Sequence, residues 1–119
     1  MKQIFLFRKR IFIFLLPCLI GLLTFIIIYG LTPLNVTNDS WIMAGYDEKD
    51  IIQHYSGWIA YRNSDRTFPL GMAMDMAWGD GTCISFTDSI PWVAIAFKLI
   101  RRFLPDTFQY FGIYALFCY

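Results

Sequence analysis

The sequence predicts a mainly α-helical integral membrane protein, and three observations carry that prediction. Residues 11–30, IFIFLLPCLIGLLTFIIIYG, contain no charged side chain. The chain of 119 residues is 57% hydrophobic and 19% aromatic, more apolar surface than an ordinary soluble domain hides. Its charge is partitioned as well. Lys2, Arg8, Lys9 and Arg10 crowd the start without an acid. Residues 31–88 carry Asp39, Asp47, Glu48, Asp50, Asp65, Asp75, Asp80 and Asp88 against only Lys49, Arg62 and Arg66. No basic face of the kind that binds nucleic acid emerges from this pattern.

The architecture expected is one complete span, an outer loop with two interfacial amphipathic helices, and the start of a second span. At 1.5 Å per residue, about 20 helical residues cover about 30 Å, one hydrocarbon core. The basic residues 1–10 read as a cytoplasmic tail, which sends residues 31–88 to the outer side. A cleaved signal peptide is the rival reading. Its apolar core usually runs about 7–15 residues and ends in small residues. This run is longer and leads into Tyr29-Gly30-Leu31-Thr32-Pro33, which favours a retained anchor. Pro17 is positioned to kink it.

Residues 31–46 read as a connector, with turn signals at Thr32-Pro33 and Asn38-Asp39-Ser40. An amphipathic helix is expected over about 47–62. Ile51, Ile52, Tyr55, Trp58 and Ile59 form one apolar stripe at helical spacing. Asp50, His54, Gly57 and Tyr61 follow one another on the opposite side. Asp47 and Glu48 fall in the first turn, where the helix dipole favours negative charge. Asp50 then lies one turn before an imidazole, and Gly57 leaves room beside them. That suits proton abstraction or metal binding.

Residues 64–88 read as an irregular loop, with Met72, Met74 and Met76 alternating as in a short strand. Asp80 and Asp88 are further metal or substrate candidates, or simply turn and cap residues. A second surface helix is expected over 89–104, capped by Asp88 or Ser89 with Pro91 in its first turn. Lys98, Arg101 and Arg102 would make a cationic stripe on it, facing lipid phosphates or a phosphate-bearing substrate. Residues 107–119 are uncharged but cover only about 20 Å. They read as an incomplete second span, so the chain reads as the first part of a longer polytopic protein or a truncated reading frame, with further C-terminal spans missing. Cys18, Cys83 and Cys118 form no C-x-x-C pair, which argues against a disulfide framework or a zinc site.

This order of elements resembles the start of a GT-C glycosyltransferase, the polytopic class that uses sugars linked to lipid phosphate. Closer still, it resembles a bacterial family of largely uncharacterised GT-C-like membrane proteins. The pieces that carry the resemblance are Asp50-Ile51-Ile52-Gln53-His54-Tyr55 with Gly57-Trp58, Phe68-Pro69-Leu70-Gly71, Phe86-Thr87-Asp88-Ser89-Ile90-Pro91, and Phe108-Gln109-Tyr110-Phe111-Gly112. The resemblance implies a bacterial inner-membrane enzyme with a polyprenyl-phosphate sugar donor and an outer-loop acid as general base. That acid maps to Asp50, with Asp47 and Glu48 as alternatives and His54 orienting it. Arg62 would hold donor phosphate, and Lys98, Arg101 and Arg102 would stand on the substrate side. A divalent metal, Mg or Mn, is a possible cofactor, with Asp50 and Asp88 as candidate ligands.

Two readings of other classes stand beside this one. Trp41, Trp58, Trp78 and Trp92, with seven tyrosines, fit a non-enzymatic membrane subunit whose outer loop is an interaction surface. A transporter fragment would want charges inside a span, and residues 11–30 have none.

Overall fold

A computed structural model describes residues 2–44 and 49–119, with side chains described from Arg10 to Ala44 and from Asp50 onward. The chain is mainly helical. Its elements are α1 (Lys2–Tyr29), α2 (Ser40–Met43), α3 (Lys49–Asn63), β1 (Met72–Ala73), β2 (Thr82–Cys83), α4 (Pro91–Leu99) and α5 (Phe111–Cys118), joined by short 3-10 turns. Two compact units form. One comprises Met1–Asn38 with Gln109–Tyr119, the other Asp39–Phe108.

In the first unit α1 runs 28 residues, about 42 Å at helical rise. Its stretch Arg10–Tyr29 has a mean hydropathy of 3.0 and is long and apolar enough to cross a membrane. The basic residues expected as a separate tail belong to the same helix. Pro17 sits inside it without ending it. Gly30 stops it with a left-handed φ of +74°, the position where glycine pays no Cβ penalty. Phe25 is buried, with its ring 5.1 Å from Tyr29 and 5.8 Å from Tyr119. Gln109, wholly buried, staples this unit. Its amide nitrogen donates to Pro33 O at 2.8 Å and Asn35 O at 2.9 Å, and its oxygen accepts from Gly112 N at 3.1 Å.

The second unit is built around α3. Trp58 is completely buried and donates its indole N–H to Phe108 O at 2.9 Å. Phe108 packs edge-on against Phe97 of α4 at 4.8 Å. Tyr55, on the same face, donates to Asp39 Oδ2 at 3.0 Å. The expected apolar stripe is therefore the core face. The other side of α3 is covered too. Tyr61 is buried, and Gly57 lies so close to the 3-10 turn Ile84–Thr87 that an added Cβ would overlap Thr87 and reach within 2.7 Å of Ser89 Oγ. The room glycine leaves is filled by this chain itself.

Three expectations are corrected. Residues 64–88 are more ordered than an irregular loop, because β1 and β2 pair antiparallel with Met72 opposite Cys83 and Ala73 opposite Thr82. The surface helix expected over 89–104 is α4 alone. Ile100 leaves the helix at φ −105°, ψ 16°, and a 3-10 turn, Arg101–Phe103, follows. Neither Asp88 nor Ser89 caps α4. Ile90 occupies that position at φ +52°, with Pro91 opening the helix.

Candidate functional site

The N-terminal half of α3 and the segment 87–90 form the candidate site. Asp50 stands exposed in the first turn of α3, where unpaired N–H groups and the helix dipole favour a carboxylate. His54 follows one turn later and is half-buried. Its Nδ1 lies 3.1 Å from Thr87 O. A carbonyl can only accept, so Nδ1 carries the proton. In the neutral ring Nε2 then keeps its lone pair for a substrate proton or another acceptor role.

The partner segment is held firmly. Ser89 Oγ donates to the backbone carbonyl of His54 at 2.5 Å and lies 2.8 Å from Thr87 Oγ1, which donates to Ile84 O at 2.8 Å. Thr87 and Ser89 are both buried. Between and beside them Asp88 and Ile90 are forced to φ of +50° and +52°. Left-handed backbone costs a side-chain-bearing residue about 1–2 kcal/mol, and a β-branched residue there is a genuine outlier. Such strain persists where the surroundings over-determine it, commonly at functional sites. Here the buried hydroxyls of Thr87 and Ser89 anchor the strained pair against α3, and the segment in turn orients His54.

Asp88 is exposed next to the carbonyl that holds His54. Among the described residues no three His, Cys, Asp or Glu side chains converge into a metal-holding group. Asp50, His54 and Asp88 thus do not form a ready cation cage. Asp80 lies exposed in the loop between the strands. Asp47 and Glu48 lie outside the described residues.

The structure gives most of the expected phosphate-binding cations partners within the chain. Arg62 is buried. Its Nη1 donates to Pro105 O at 2.6 Å and Asp106 O at 3.2 Å, and its Nη2 to Leu104 O at 2.7 Å and, at 3.5 Å, to Arg101 O. Arg101 Nη1 answers across the same gap, donating to Arg62 O at 2.7 Å and Ser64 O at 2.8 Å. Each arginine caps the chain end that carries the other. Lys98 is buried as well. It donates to Ser64 Oγ at 2.9 Å and Asp65 O at 3.0 Å and sits 4.0 Å over the Tyr61 ring. Burial, helped by the charges of Arg101 and Arg66, pulls its ammonium below the usual lysine range. Arg101 and Lys98 close the C-terminal end of α3, where carbonyls lack helical partners, and Arg62 closes the turn after α4. They do not form an exposed stripe. Arg102 alone of the expected set is exposed.

The residues missed by sequence reasoning are Thr87, Ser89 and Asp39. Thr87 and Ser89 lie inside Phe86-Thr87-Asp88-Ser89-Ile90-Pro91, but nothing local says that their partner is His54. Asp39 reads as a turn residue, yet it accepts the Tyr55 hydroxyl. Burial first, and then this acceptor, push the Tyr55 phenol up to about 12.

Compared with known proteins, residues 18–119 match the family profile of a domain of unknown function, DUF6311. The chain belongs to the DUF6311 family. No curated protein and no solved structure matches it. The DUF6311 match takes in Asp50, His54, the 87–90 segment and the capping cations together, so the site described above lies wholly inside the family domain.

Proposed function

We propose that this DUF6311 chain supplies the acid–base face of a membrane glycosyltransferase that draws its sugar from a polyprenyl-phosphate donor. Asp50 is its general base. The observation that carries the reading is the Asp50–His54 pair. A carboxylate is left exposed on the first turn of a packed helix, one turn from an imidazole whose tautomer is set by Thr87 O. The spanning length of α1 and the motif pieces quoted above support the membrane and sugar-transfer parts. In this reading the N-terminus lies in the cytoplasm of a bacterial cell and the Asp39–Phe108 unit on the outer side of its inner membrane.

The reaction is a single displacement. Asp50 accepts the proton of an acceptor hydroxyl as that oxygen bonds to the anomeric carbon, and the sugar–phosphate C–O bond breaks with its electrons leaving on polyprenyl phosphate. His54, fixed through Nδ1, uses Nε2 to hold the acceptor or, when protonated, to donate to the leaving phosphate. The described residues do not assemble a donor set for Mg or Mn, and no step is routed through a metal.

The test is transfer from a labelled polyprenyl-phosphate hexose in proteoliposomes of the full-length protein. Asp50→Asn is expected to lower transfer about 10²–10⁴-fold, the usual contribution of a positioned base. Unchanged transfer would remove Asp50 from catalysis. A second reading, a non-enzymatic membrane subunit, is favoured by the fully exposed rings of Trp78 and Trp92, at 105% and 85% exposure. It expects no transfer from any donor and loss of a partner on Trp78→Ala.

A further inference from the structure

We propose that the rim of a small cleft at the C-terminal end of α3 is a membrane-contact surface whose occupant is an anionic phospholipid bilayer. Phe68, Leu70, Leu99 and Phe103 enter the boundary between headgroups and acyl chains, and Arg66 and Arg102 meet headgroup phosphates. The inference rests on the membrane placement given above and says which face of the Asp39–Phe108 unit touches lipid.

The cleft itself is apolar and only about 50 Å³, room for little more than a water or two, so it is no ligand chamber. Its surroundings are the informative part. Leu70 and Leu99, which border it, are 65% and 63% exposed, and Phe68 and Phe103, two and four residues from them in the chain, are 92% and 88% exposed. Leu70, Leu99 and Arg66 border the same cleft. Arg66 Nη2 donates to Leu99 O at 3.2 Å, which holds segment 66–70 beside the end of α4. Phe103 stands in the 3-10 turn that follows. Large apolar side chains this exposed and this near one another along the chain are unusual unless something covers them.

Charge and tether identify the covering. Behind the rim, Lys98, Arg101 and Arg62 direct their hydrogen bonds to carbonyls and a hydroxyl. No carboxylate accepts in those contacts, and Asp65 and Asp75 offset only Lys98 and at longer range, so a net positive field reaches the surface that Arg66 and Arg102 already make basic. Asp65, beside Arg66 in the chain, and Asp75 are the acids that bear on this end. Exposed aromatics with bases beside them suit a headgroup boundary over an anionic leaflet. The unit also cannot drift from a bilayer that holds α1. Only residues 30–38 separate the end of α1 from Asp39, a reach of at most about 32 Å. The exposed Trp78 makes the contrast. It sits between Asp75 and Asp80, both exposed, and an anionic surface repels that tip.

The experiment uses the full-length protein in nanodiscs, with Cys18, Cys83 and Cys118 replaced by Ala and one nitroxide at a time attached after Phe68→Cys, Leu99→Cys, Phe103→Cys, Trp78→Cys or Ile20→Cys. Labels at 68, 99 and 103 are expected to meet oxygen more readily than a water-soluble nickel chelate, and the label at 78 the reverse. In phosphatidylglycerol discs the lipid-exposed fraction of the label at 103 should exceed that in phosphatidylcholine. Arg66→Gln and Arg102→Gln should each cut the gain about fivefold, the effect of one base at an anionic surface. Nickel access at 68, 99 and 103 equal to that at 78, with label 20 in lipid, overturns this surface and leaves the spanning helix standing. Label 20 in water overturns the membrane placement itself, and with it both readings.

Discussion

Arg62 separates two accounts of the same residue, as a clamp on substrate phosphate or as a cap on its own chain. The perturbation is Arg62→Lys, which keeps the charge and loses the planar fork. In the structure that fork spans three successive carbonyls, Leu104 O at 2.7 Å, Pro105 O at 2.6 Å and Asp106 O at 3.2 Å. A lysine ammonium is a point charge and cannot bridge three acceptors at that spread. Bonds to a charged donor contribute about 1.5–3 kcal/mol each. The full sum does not apply, since Pro105 and Asp106 are exposed and water replaces part of the loss, while lysine recovers one bond. A net loss of about 2–3 kcal/mol remains. For a unit the size of Asp39–Phe108, each kcal/mol moves the midpoint by about 4–8 °C, so the expected drop is about 10–20 °C. Thermal unfolding of the full-length protein in detergent, followed by tryptophan fluorescence, measures it. Trp58 reports directly, because its indole bonds Phe108 O just beyond the capped carbonyls. A variant that melts within a few degrees of wild type yet loses sugar transfer refutes the capping account and returns Arg62 to the substrate.

Other consequences follow from the same contacts. Gly57→Ala gains about 1 kcal/mol of helix propensity, but its Cβ overlaps Thr87, and overpacking costs about 1–3 kcal/mol. Net destabilisation and loss of the His54–Thr87 hydrogen bond are expected, seen as a lower melting point and a shifted imidazole N–H resonance. Tyr55 gives a pH signature. Its folded-state pKa is raised from 10.0 to about 12, so the neutral phenol stabilises the fold fully below pH 10 and the contribution is lost as pH rises through about 12. Denaturant midpoints at pH 9 and pH 11 should fall further for wild type than for Tyr55→Phe. Gln109→Glu places a carboxylate against Pro33 O and Asn35 O, where the amide now donates. It should destabilise the protein at neutral pH and recover partly once acid protonates it, which calorimetry at two pH values tests.

Parts of this fold were legible because they rest on local periodicity. The uncharged run predicts α1, and the stripe through Ile51, Tyr55 and Trp58 predicts both α3 and the face it buries. The basic residues before Ile11 read as a tail because charge argues against a span, although charge does not stop a helix. The partners of Lys98 and Arg101 were not legible. They lie more than 30 residues away in sequence, and nothing in the i, i+3, i+4 spacing of cations distinguishes a solvated stripe from a set of caps. The start of α4 misled for a related reason. Asp88 and Ser89 look like caps, but Ser89 has a stronger use, donating to His54 O, and that leaves Ile90 to turn the chain in a conformation no propensity scale predicts.

The two ends of α3 explain where chemistry is possible on it. At the C-terminal end the buried donors Arg62 and Lys98, and half-buried Arg101, are committed. Lys98 and Arg101 satisfy Ser64, Asp65 and Arg62, and Arg62 satisfies the turn after α4. For these three to bind a phosphate, the chain would have to uncap its own backbone and leave carbonyls without partners. At the N-terminal end the position is reversed. His54 spends one nitrogen on Thr87 O and keeps the other, while Asp50 is exposed on a turn whose dipole favours its charge. Substituting an end that is spent should cost stability first, and substituting the end held in reserve should cost activity first. Melting point and transfer rate measured together on Arg101→Lys and Asp50→Asn therefore test the site assignment directly. If Asp50→Asn loses the melting point and keeps the rate, the acid belongs to the fold and the proposed base must be sought elsewhere.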